Sequence, residues 1–151
     1  MKEAYGGILN IFFIAVFLVI VSGILAFIVT YTKAFKMKNI VISTVEQYEG
    51  SGCTSDSSSC FARIEERAKN IKFSPSDTLT CPSTITNNYN YTKVGGLYCI
   101  GEPVGSVTKN VDGTSKHYNI IVKINFYFPI LSKFFGFNVF QVSGDTESID
   151  S

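Results

Sequence analysis

A stretch without a charged residue, from Ala4 to Thr32, constrains the fold of this chain more than any other feature. Within it, the run from Ile8 to Thr32 is almost entirely apolar and is rich in Ile, Val and Phe. A helix of about 20 apolar residues crosses a bilayer, and a backbone in lipid has to satisfy its hydrogen bonds within its own segment. We therefore predict a transmembrane helix over residues 8–32, preceded by a short N-terminal flank, residues 1–7.

A cleavable signal peptide is the alternative interpretation of this stretch. Its apolar region should run for only about 7–15 residues and should end at a cleavage site of small residues. The apolar run in this chain is longer than that, so a retained anchor is favoured. Once the anchor is subtracted from the 151 residues, the remainder suffices for one small folded domain.

Apolar residues continue beyond the anchor at the spacing of a helix with one buried face. They form two neighbouring stripes, one of Tyr31, Phe35, Ile42 and Val45 and the other of Met37, Val41 and Tyr48. We predict that the helix continues as an amphipathic segment over residues 33–49 and is ended by Gly50 and Gly52. A one-sided apolar stripe has to pack against another element, and the C-terminal strands are the natural partner.

A second, shorter helix is predicted after a loop rich in Ser and Gly. Ser57 to Ser59 offer an N-cap for it. The segment that follows places apolar residues on one helical face, at Phe61, Ile64, Ala68 and Ile71. The helix is expected to run to about Lys72, because Pro75 cannot continue it.

The apolar period changes to two after Lys93, which indicates β-strands. Segments 94–100 and 103–110 are predicted as short strands. Asp112 with Gly113 is predicted as a hairpin turn, because this dipeptide favours the tight turns that join antiparallel strands.

The longest strand is predicted over residues 118–128, where every even position is apolar and the odd positions include Asn119 and Lys123. That alternation predicts one buried face. Residues 140–147 alternate in the same way and are predicted to form the antiparallel partner strand. The expected fold class is α+β: a long N-terminal transmembrane-plus-amphipathic helix packed on a small antiparallel β-sheet, with a short second helix.

The four cysteines lie after the anchor, at Cys53, Cys60, Cys81 and Cys99. Their spacing contains no C-x-x-C pair, which makes a zinc site a poor fit. An even number of cysteines in a small domain indicates two disulfides and an oxidising compartment. Three pairings are open from the sequence; we favour a local loop between Cys53 and Cys60 and a longer one between Cys81 and Cys99. Residues 50–151 are thus expected to form a disulfide-stapled extracytoplasmic α+β head.

Two signals conflict over the orientation of the anchor. Lys33, Lys36 and Lys38 follow the apolar run, whereas Lys2 precedes it, so the positive-inside rule would place the head in the cytoplasm. The cysteines argue for the outside. Because the N-terminal flank is short and the charge bias is small, we predict a single-pass protein of the cell membrane whose C-terminal head is extracytoplasmic.

The residues that carry chemistry form no recognisable active site. The net charge is +1 and the charges are scattered, which does not favour nucleic-acid binding. The single histidine, His117, has no second histidine or thiolate with which to build a nucleophile or a metal site. Asp145 and Glu147 share a strand face, but charges near a terminus are ordinarily just solvated. We therefore expect no enzyme, no cofactor and no metal ion.

Two further groups of residues are candidates for contacts. Ser22 and Gly23 interrupt the anchor with small side chains that permit close approach of another helix. The link between the last two strands is apolar where a connection is normally polar, at Ile130, Leu131, Phe134 and Phe135. Because its flanks have a period of two, this link is not a second span, and we predict that it contacts the membrane or a neighbouring subunit.

Three tyrosines, Tyr89, Tyr91 and Tyr98, could form a ligand-contact patch, but packing is the favoured role.

With this layout the chain resembles the TadE-like family of pilin-related proteins, which is associated with tight-adherence type IV pilus and secretion systems. The resemblance lies in an anchor that runs into the amphipathic segment YTKAFKMKNIVISTVEQYEG and then a small α+β head. It lies also in the closing pattern IVKINFYFPILSKFFGFNVFQVSGDTESI. It covers nearly the whole chain and implies a pilin-like fold.

The resemblance implies a minor pilin or pseudopilin, that is, a structural component of a Tad or type IV pilus-like assembly or secretion machine that serves cell adhesion. Its implied partners are membrane lipid and other pilin-like subunits or assembly-platform proteins. It also implies an oligomer formed through the N-terminal helix and a place within a surface filament.

The N-terminus departs from the pilin pattern. Pilins often have a glycine cleavage site followed, five residues into the mature chain, by a glutamate. Here Gly6 and Gly7 precede the apolar run, but Ile11 and Phe12 stand where that glutamate would be, and Glu3 lies before the glycines.

The alternative function, from another class, is a bitopic membrane protein whose extracytoplasmic head binds a ligand or the cell wall.

Overall fold

The computed structural model describes residues 2–50, 52–73, 79–82, 88–104, 109–110, 113–125 and 139–150. The first helix, α1, spans Lys2–Gln47 without a break, so the predicted span and its amphipathic continuation are one helix. At about 1.5 Å per residue, its 46 residues make a rod of about 69 Å. The second helix, α2, spans Ser59–Asn70.

The end of α1 explains why glycine is needed at position 50. The Gly50 N–H donates to the carbonyl oxygen of Val45 at 2.8 Å, and the Glu49 N–H donates to that of Glu46 at 3.1 Å. Both turn residues have positive φ, 51° at Glu49 and 71° at Gly50. A Cβ at Gly50 would lie 2.5 Å from the ring of Tyr118. The helix itself ends at Gln47, two residues before the predicted end, and Gly50 is required by the backbone conformation and close packing of the turn that follows.

The second helix runs back along the first. Ser58 is its N-cap, and its side chain accepts a hydrogen bond from the Phe61 N–H at 3.1 Å. Further along, Arg67 donates to the hydroxyl of Thr44 on α1 at 3.2 Å. Because α2 begins near the end of α1 and reaches Thr44 two turns later, its C-terminus is directed toward the apolar first half of α1.

Four antiparallel strands form the main sheet, in the order β1-β2-β5-β6. They are β1 Tyr89–Val94, β2 Tyr98–Pro103, β5 Asn119–Asn125 and β6 Val139–Asp145. Three short strands form a second sheet, in the order β3-β4-β7. They are β3 Lys109–Asn110, β4 Gly113–Lys116 and β7 Ile149–Asp150. The α+β class, the long first helix, the short second helix and the antiparallel sheet agree with the sequence prediction.

The predicted strand over residues 94–100 is wrong, because a hairpin turn divides it. Gly95 and Gly96 both have positive φ, 54° and 68°, and the Leu97 N–H closes the turn on the carbonyl oxygen of Val94 at 3.0 Å. A Cβ at Gly95 would lie 2.2 Å from the ring of Phe61. The adjacent glycines are therefore a turn that lets α2 approach, and β1 and β2 lie on either side of it.

The core lies between the helices and the inner face of the main sheet. Its residues include Met37 and Val41 from α1, Ile64 from α2, and Ile120 and Val122 from β5. The even positions of the longest strand therefore face the core, as the alternation predicted. The second half of α1 is the part that the sheet covers.

One of the two apolar stripes predicted on α1 is wrong in its first half. Tyr31 and Phe35 are 45% and 44% exposed, whereas Ala34, Met37 and Val41 are fully buried. The two stripes are neighbours on the helix surface and both are apolar, so the period alone could not show which one faces the head.

The opposite face of the sheet is covered too, which the alternation did not predict. Leu79, Cys99 and Ile121 form a second, smaller buried cluster on this outer face. The disulfide between Cys81 and Cys99 draws residues 79–82 across the sheet. The ammonium group of Lys123 donates to the carbonyl oxygen of Thr80, which fixes the same segment.

Candidate functional site

The most extensive unusual surface is the first half of α1. Its large apolar side chains are exposed on every side of the helix, for example Ile8 at 69%, Phe17 at 64% and Val29 at 57%. A helix that is apolar all round has to be covered by lipid or by protein. Among the described residues, α1 is the one helix that is long and apolar enough to cross a membrane.

The small residues predicted as a helix contact lie within this exposed half. Ser22 is exposed, and its hydroxyl donates to the carbonyl oxygen of Val19 at 2.9 Å, so the polar group is satisfied inside the helix. Gly23 is buried. The pair forms a shallow notch among large apolar side chains, where another helix can approach closely.

All four cysteines form disulfides. Cys53 is joined to Cys60 and Cys81 to Cys99, with Cα atoms 5.2 Å and 5.7 Å apart. These are the two pairs that the sequence favoured. The first ties the end of α1 to the start of α2, and the second fixes the outer segment to β2. Both are structural bonds of the head.

The three tyrosines do not form one patch. Tyr98 faces the core and is fully buried, and its hydroxyl donates to the carbonyl oxygen of Cys53 at 2.9 Å. Burial, and to a lesser degree the charge of Asp56, raises the pKa of Tyr98. Tyr89 and Tyr91 lie on the opposite, outer face, with ring centroids 6.2 Å apart.

A row of hydrogen bonds crosses the outer face of the sheet. The hydroxyl of Tyr91 donates to Asn119 Oδ1 at 2.9 Å, and Asn119 Nδ2 donates to Asp145 Oδ1 at 2.6 Å. Tyr91 lies on β1 and Asn119 on β5, so the tyrosine ring has to cross β2. It does so over Gly101, where a Cβ would lie 2.7 Å from the ring.

The remaining polar candidates do not converge on a reaction centre. Asp145 is engaged by Asn119. The backbone N–H of Glu147 donates to Glu46 Oε1 at 2.9 Å. His117 Nδ1 lies 3.5 Å from the carbonyl oxygen of Thr146. Within the described part of the chain, no three His, Cys, Asp or Glu side chains are grouped so that they could hold a metal ion.

An open groove of about 400 Å³ lies where the C-terminal end of α2 meets the middle of α1. Its α1 wall is formed by Ile28, Val29, Thr32, Lys33 and Lys36. Its α2 wall is formed by Asn70 and Ile71. We call it the α1–α2 groove. Sequence reasoning missed it, because only the direction of α2 brings these two walls together; the available signal was the group of lysines after the apolar run.

The apolar link with Ile130, Leu131, Phe134 and Phe135 lies outside the described residues, but the strands that flank it are placed. The Glu147 N–H is bonded to Glu46, and a Cβ added at Gly144 would lie 3.0 Å from the side chains of Lys38 and Ile42. Residue 147 thus lies beside the end of α1, and residue 144 lies beside an earlier part of it. The N-terminal end of β6 is therefore directed toward the apolar half of α1. The chain leaves β5 and re-enters β6 at that end of the head.

Comparison with known proteins gives no relative from which a role could be transferred. No protein-family model, curated protein or solved structure matches this chain. The function therefore has to be argued from the placement of its own residues.

Proposed function

We propose that this chain is a membrane-anchored, pilin-like structural subunit, a minor pilin or pseudopilin of a Tad or type IV pilus-like assembly or secretion machine. The first half of α1 holds it in the membrane, and the head is displayed on the extracytoplasmic side. The proposal includes no catalysis, cofactor or metal ion. The observation that carries it is the contrast within α1: the first half is exposed all round, and the second half is buried on one face beneath the sheet.

The mechanism proposed is exchange of lipid for protein around the first half of α1. Lipid tails are as apolar as Ile or Phe, so the hydrophobic effect does not drive helices together within a bilayer. Close packing at small residues does, and Ser22 with Gly23 supplies such a position. A helix that carries its head on its second half can join a bundle of like helices through its first half, while the heads remain outside the bundle.

The disulfides support an extracytoplasmic head, because such bonds persist in oxidising compartments. Alkylation of the natively expressed protein, without reductant, tests this placement. We expect no thiol to react until the protein is reduced. Reaction of all four cysteines before reduction would place the head in a reducing compartment and would contradict the proposed orientation.

Cross-linking through α1 tests assembly. Ser22→Cys adds one thiol at the notch, and Ile24→Cys adds one on the opposite side of the helix, roughly 200° away. Oxidation in native membranes should give covalent oligomers with Ser22→Cys and several-fold fewer with Ile24→Cys. Affinity purification of the full chain should also recover pilin-like or assembly-platform proteins. A chain that stays monomeric and alone in the membrane would exclude a role in assembly.

The second candidate is a bitopic protein whose head binds a ligand or the cell wall. The outer face of the sheet favours it, because Tyr89 and Tyr91 are half-exposed there beside the polar row of Asn119 and Asp145. Sedimentation of the full chain with isolated wall material, compared between the native protein and Tyr89→Ala, separates this candidate from the first. Binding that is lost in Tyr89→Ala would favour it.

A further inference from the structure

The α1–α2 groove is apolar at one end and cationic at the other. Ile28 and Val29 lie on the side of the exposed apolar half of α1, and Lys33 and Lys36 lie one to two turns nearer the head. The order along the helix axis is therefore apolar first and basic second. Ile71 of α2 also lines the groove.

The two lysines of the groove have no acidic partner among the described residues. The ion pairs among the described residues are Arg63 with Glu66 and Lys69 with Glu65, and all four residues lie on α2. The groove walls contain no carboxylate, and Asn70 adds an amide beside the lysines. An anion that entered the groove would meet two ammonium groups.

The position of the groove along the membrane normal follows from the proposed anchoring. A hydrocarbon layer of about 30 Å is crossed by about 20 helical residues, so a span that begins near Ile8 ends near Val29. Lys33 and Lys36 then stand about 6 Å and about 10 Å farther along the axis, at the depth of the lipid headgroups. Ile28 and Val29 remain at the depth of the acyl chains.

We propose that the α1–α2 groove binds the headgroup of an anionic phospholipid. Its phosphate accepts hydrogen bonds from the ammonium groups of Lys33 and Lys36, and the upper part of an acyl chain lies against Ile28 and Val29. This inference rests on the proposed anchoring of α1. It also reconciles the lysines with an extracytoplasmic head, because their partner is lipid rather than the cytoplasmic surface.

A purely structural role for the lysines predicts something different. The C-terminal end of α2 carries a partial negative charge, and Lys33 or Lys36 beside it would stabilise the head in any lipid. Binding to a headgroup instead requires a preference that changes with lipid charge. The two roles are separated by comparing lipids that share acyl chains and differ only in headgroup charge.

The test is native mass spectrometry of the full chain in neutral detergent micelles that contain equal amounts of phosphatidylcholine and phosphatidylglycerol. We expect the native protein to retain phosphatidylglycerol preferentially. Lys33→Gln with Lys36→Gln should lower that preference by about 25-fold at low salt, since each basic residue near a lipid surface contributes about fivefold. Lys33→Arg with Lys36→Arg should retain it.

Two controls separate the groove from general surface charge. Lys93→Gln with Lys116→Gln removes two exposed lysines of the head and should leave the preference unchanged. Thr32→Trp fills the groove without removing charge and should abolish it. An unchanged preference in the Lys33 and Lys36 variant, an equal loss in the Lys93 and Lys116 variant, or full binding by Thr32→Trp would each overturn the proposal.

Inorganic phosphate distinguishes a lipid from a free anion. Sodium phosphate should displace phosphatidylglycerol no better than sodium chloride at equal ionic strength, because the acyl contact is missing; displacement at millimolar concentration would assign the groove to free phosphate instead. Extraction of native membranes with carbonate tests the anchoring separately. Release by carbonate would refute the anchor itself, whereas retention without a lipid preference would refute only the groove.

Discussion

At the scale of single residues, both helices end in the same unusual way. Glu49 after α1 and Lys72 after α2 have left-handed backbone, with φ of 51° and 53°, at the position where helices usually have glycine. After α2, the Phe73 N–H donates to the carbonyl oxygen of Ala68 at 3.0 Å and closes the same kind of turn. A side chain in this conformation costs about 1 kcal/mol that glycine would not.

Replacing Lys72 by glycine should therefore stabilise the head. We expect a gain of roughly 0.5–1 kcal/mol in the free energy of unfolding, because Lys72 is exposed and its side chain makes no described contact that would be lost. Urea unfolding of the full chain in detergent measures it. Lys72→Ala is the matched control and should give no gain, because it retains a Cβ; an equal gain in both variants would exclude backbone strain as the cause.

The buried hydroxyl of Tyr98 should make the head sensitive to alkali. Burial raises the pKa of Tyr98 above its ordinary value of 10.0, so the folded head keeps a proton that the unfolded chain releases. The stability that depends on this proton is complete below about pH 10 and is lost as the pH rises toward the raised folded pKa.

Tyr98→Phe separates the hydrogen bond from its titration. It should cost about 0.5–1.5 kcal/mol at neutral pH, because the hydrogen bond from the Tyr98 hydroxyl to the carbonyl oxygen of Cys53, at 2.9 Å, is lost. It should also flatten the decline in stability above pH 10. Thermal unfolding of both proteins between pH 8 and about pH 11 measures the two effects. Any damage to the disulfides in alkali is common to both proteins and does not alter the difference between them. Parallel declines in the two proteins would contradict the assignment to Tyr98.

At the scale of elements, the sequence predicted best where the pattern is long and repeats. The apolar run and its helical continuation predicted α1, and the alternation of β5 predicted the inner face that packs on it. The hairpin of β1 and β2 was missed because a period of two was continued through Gly95 and Gly96, although adjacent glycines are themselves a turn signal. The outer cluster at Ile121 depends on which cysteines pair, which spacing alone leaves open.

The outer row of the sheet is an element-scale contact with a testable weak point. In Gly101→Ala the new Cβ would lie 2.7 Å from the ring of Tyr91, so the ring has to leave β2 and its bond to Asn119. We expect a loss of about 1–3 kcal/mol in the free energy of unfolding. Tyr91→Ala should lose stability as well, but the double variant should lose less than the sum, because without the ring the Cβ meets no clash. Additive losses would show that the clash with the Tyr91 ring does not cause the loss of stability in Gly101→Ala.

At the scale of the whole molecule, the head has two distinct ends. At one end Tyr118 packs against Gly50, beyond the last turn of α1. At the other end lie the C-terminus of α2, the α1–α2 groove and the facing ends of β5 and β6. This second end adjoins the exposed half of α1, so in an anchored molecule it faces the membrane. Sequence could not show this, because it follows from the directions of α2 and β6 along α1.

The apolar link between β5 and β6 gives the last prediction, since its flanking strands end beside the exposed half of α1, which is the membrane side if α1 is an anchor. If Phe134 and Phe135 contact the bilayer there, replacing both with Ser should lower labelling of the head by photoactivatable lipids several-fold, and assembly should weaken. The head should stay folded, with both disulfides formed, because the described core residues come from α1, α2 and the strands outside the link. Val104→Ser is the matched control: it removes an exposed apolar side chain, 43% exposed, just after β2 at the opposite end of the head. Equal labelling of the native protein and the Phe134 and Phe135 variant would rule out a membrane contact at the link. A fall in labelling in both this variant and Val104→Ser would show that the label reports exposed apolar surface rather than proximity to the bilayer.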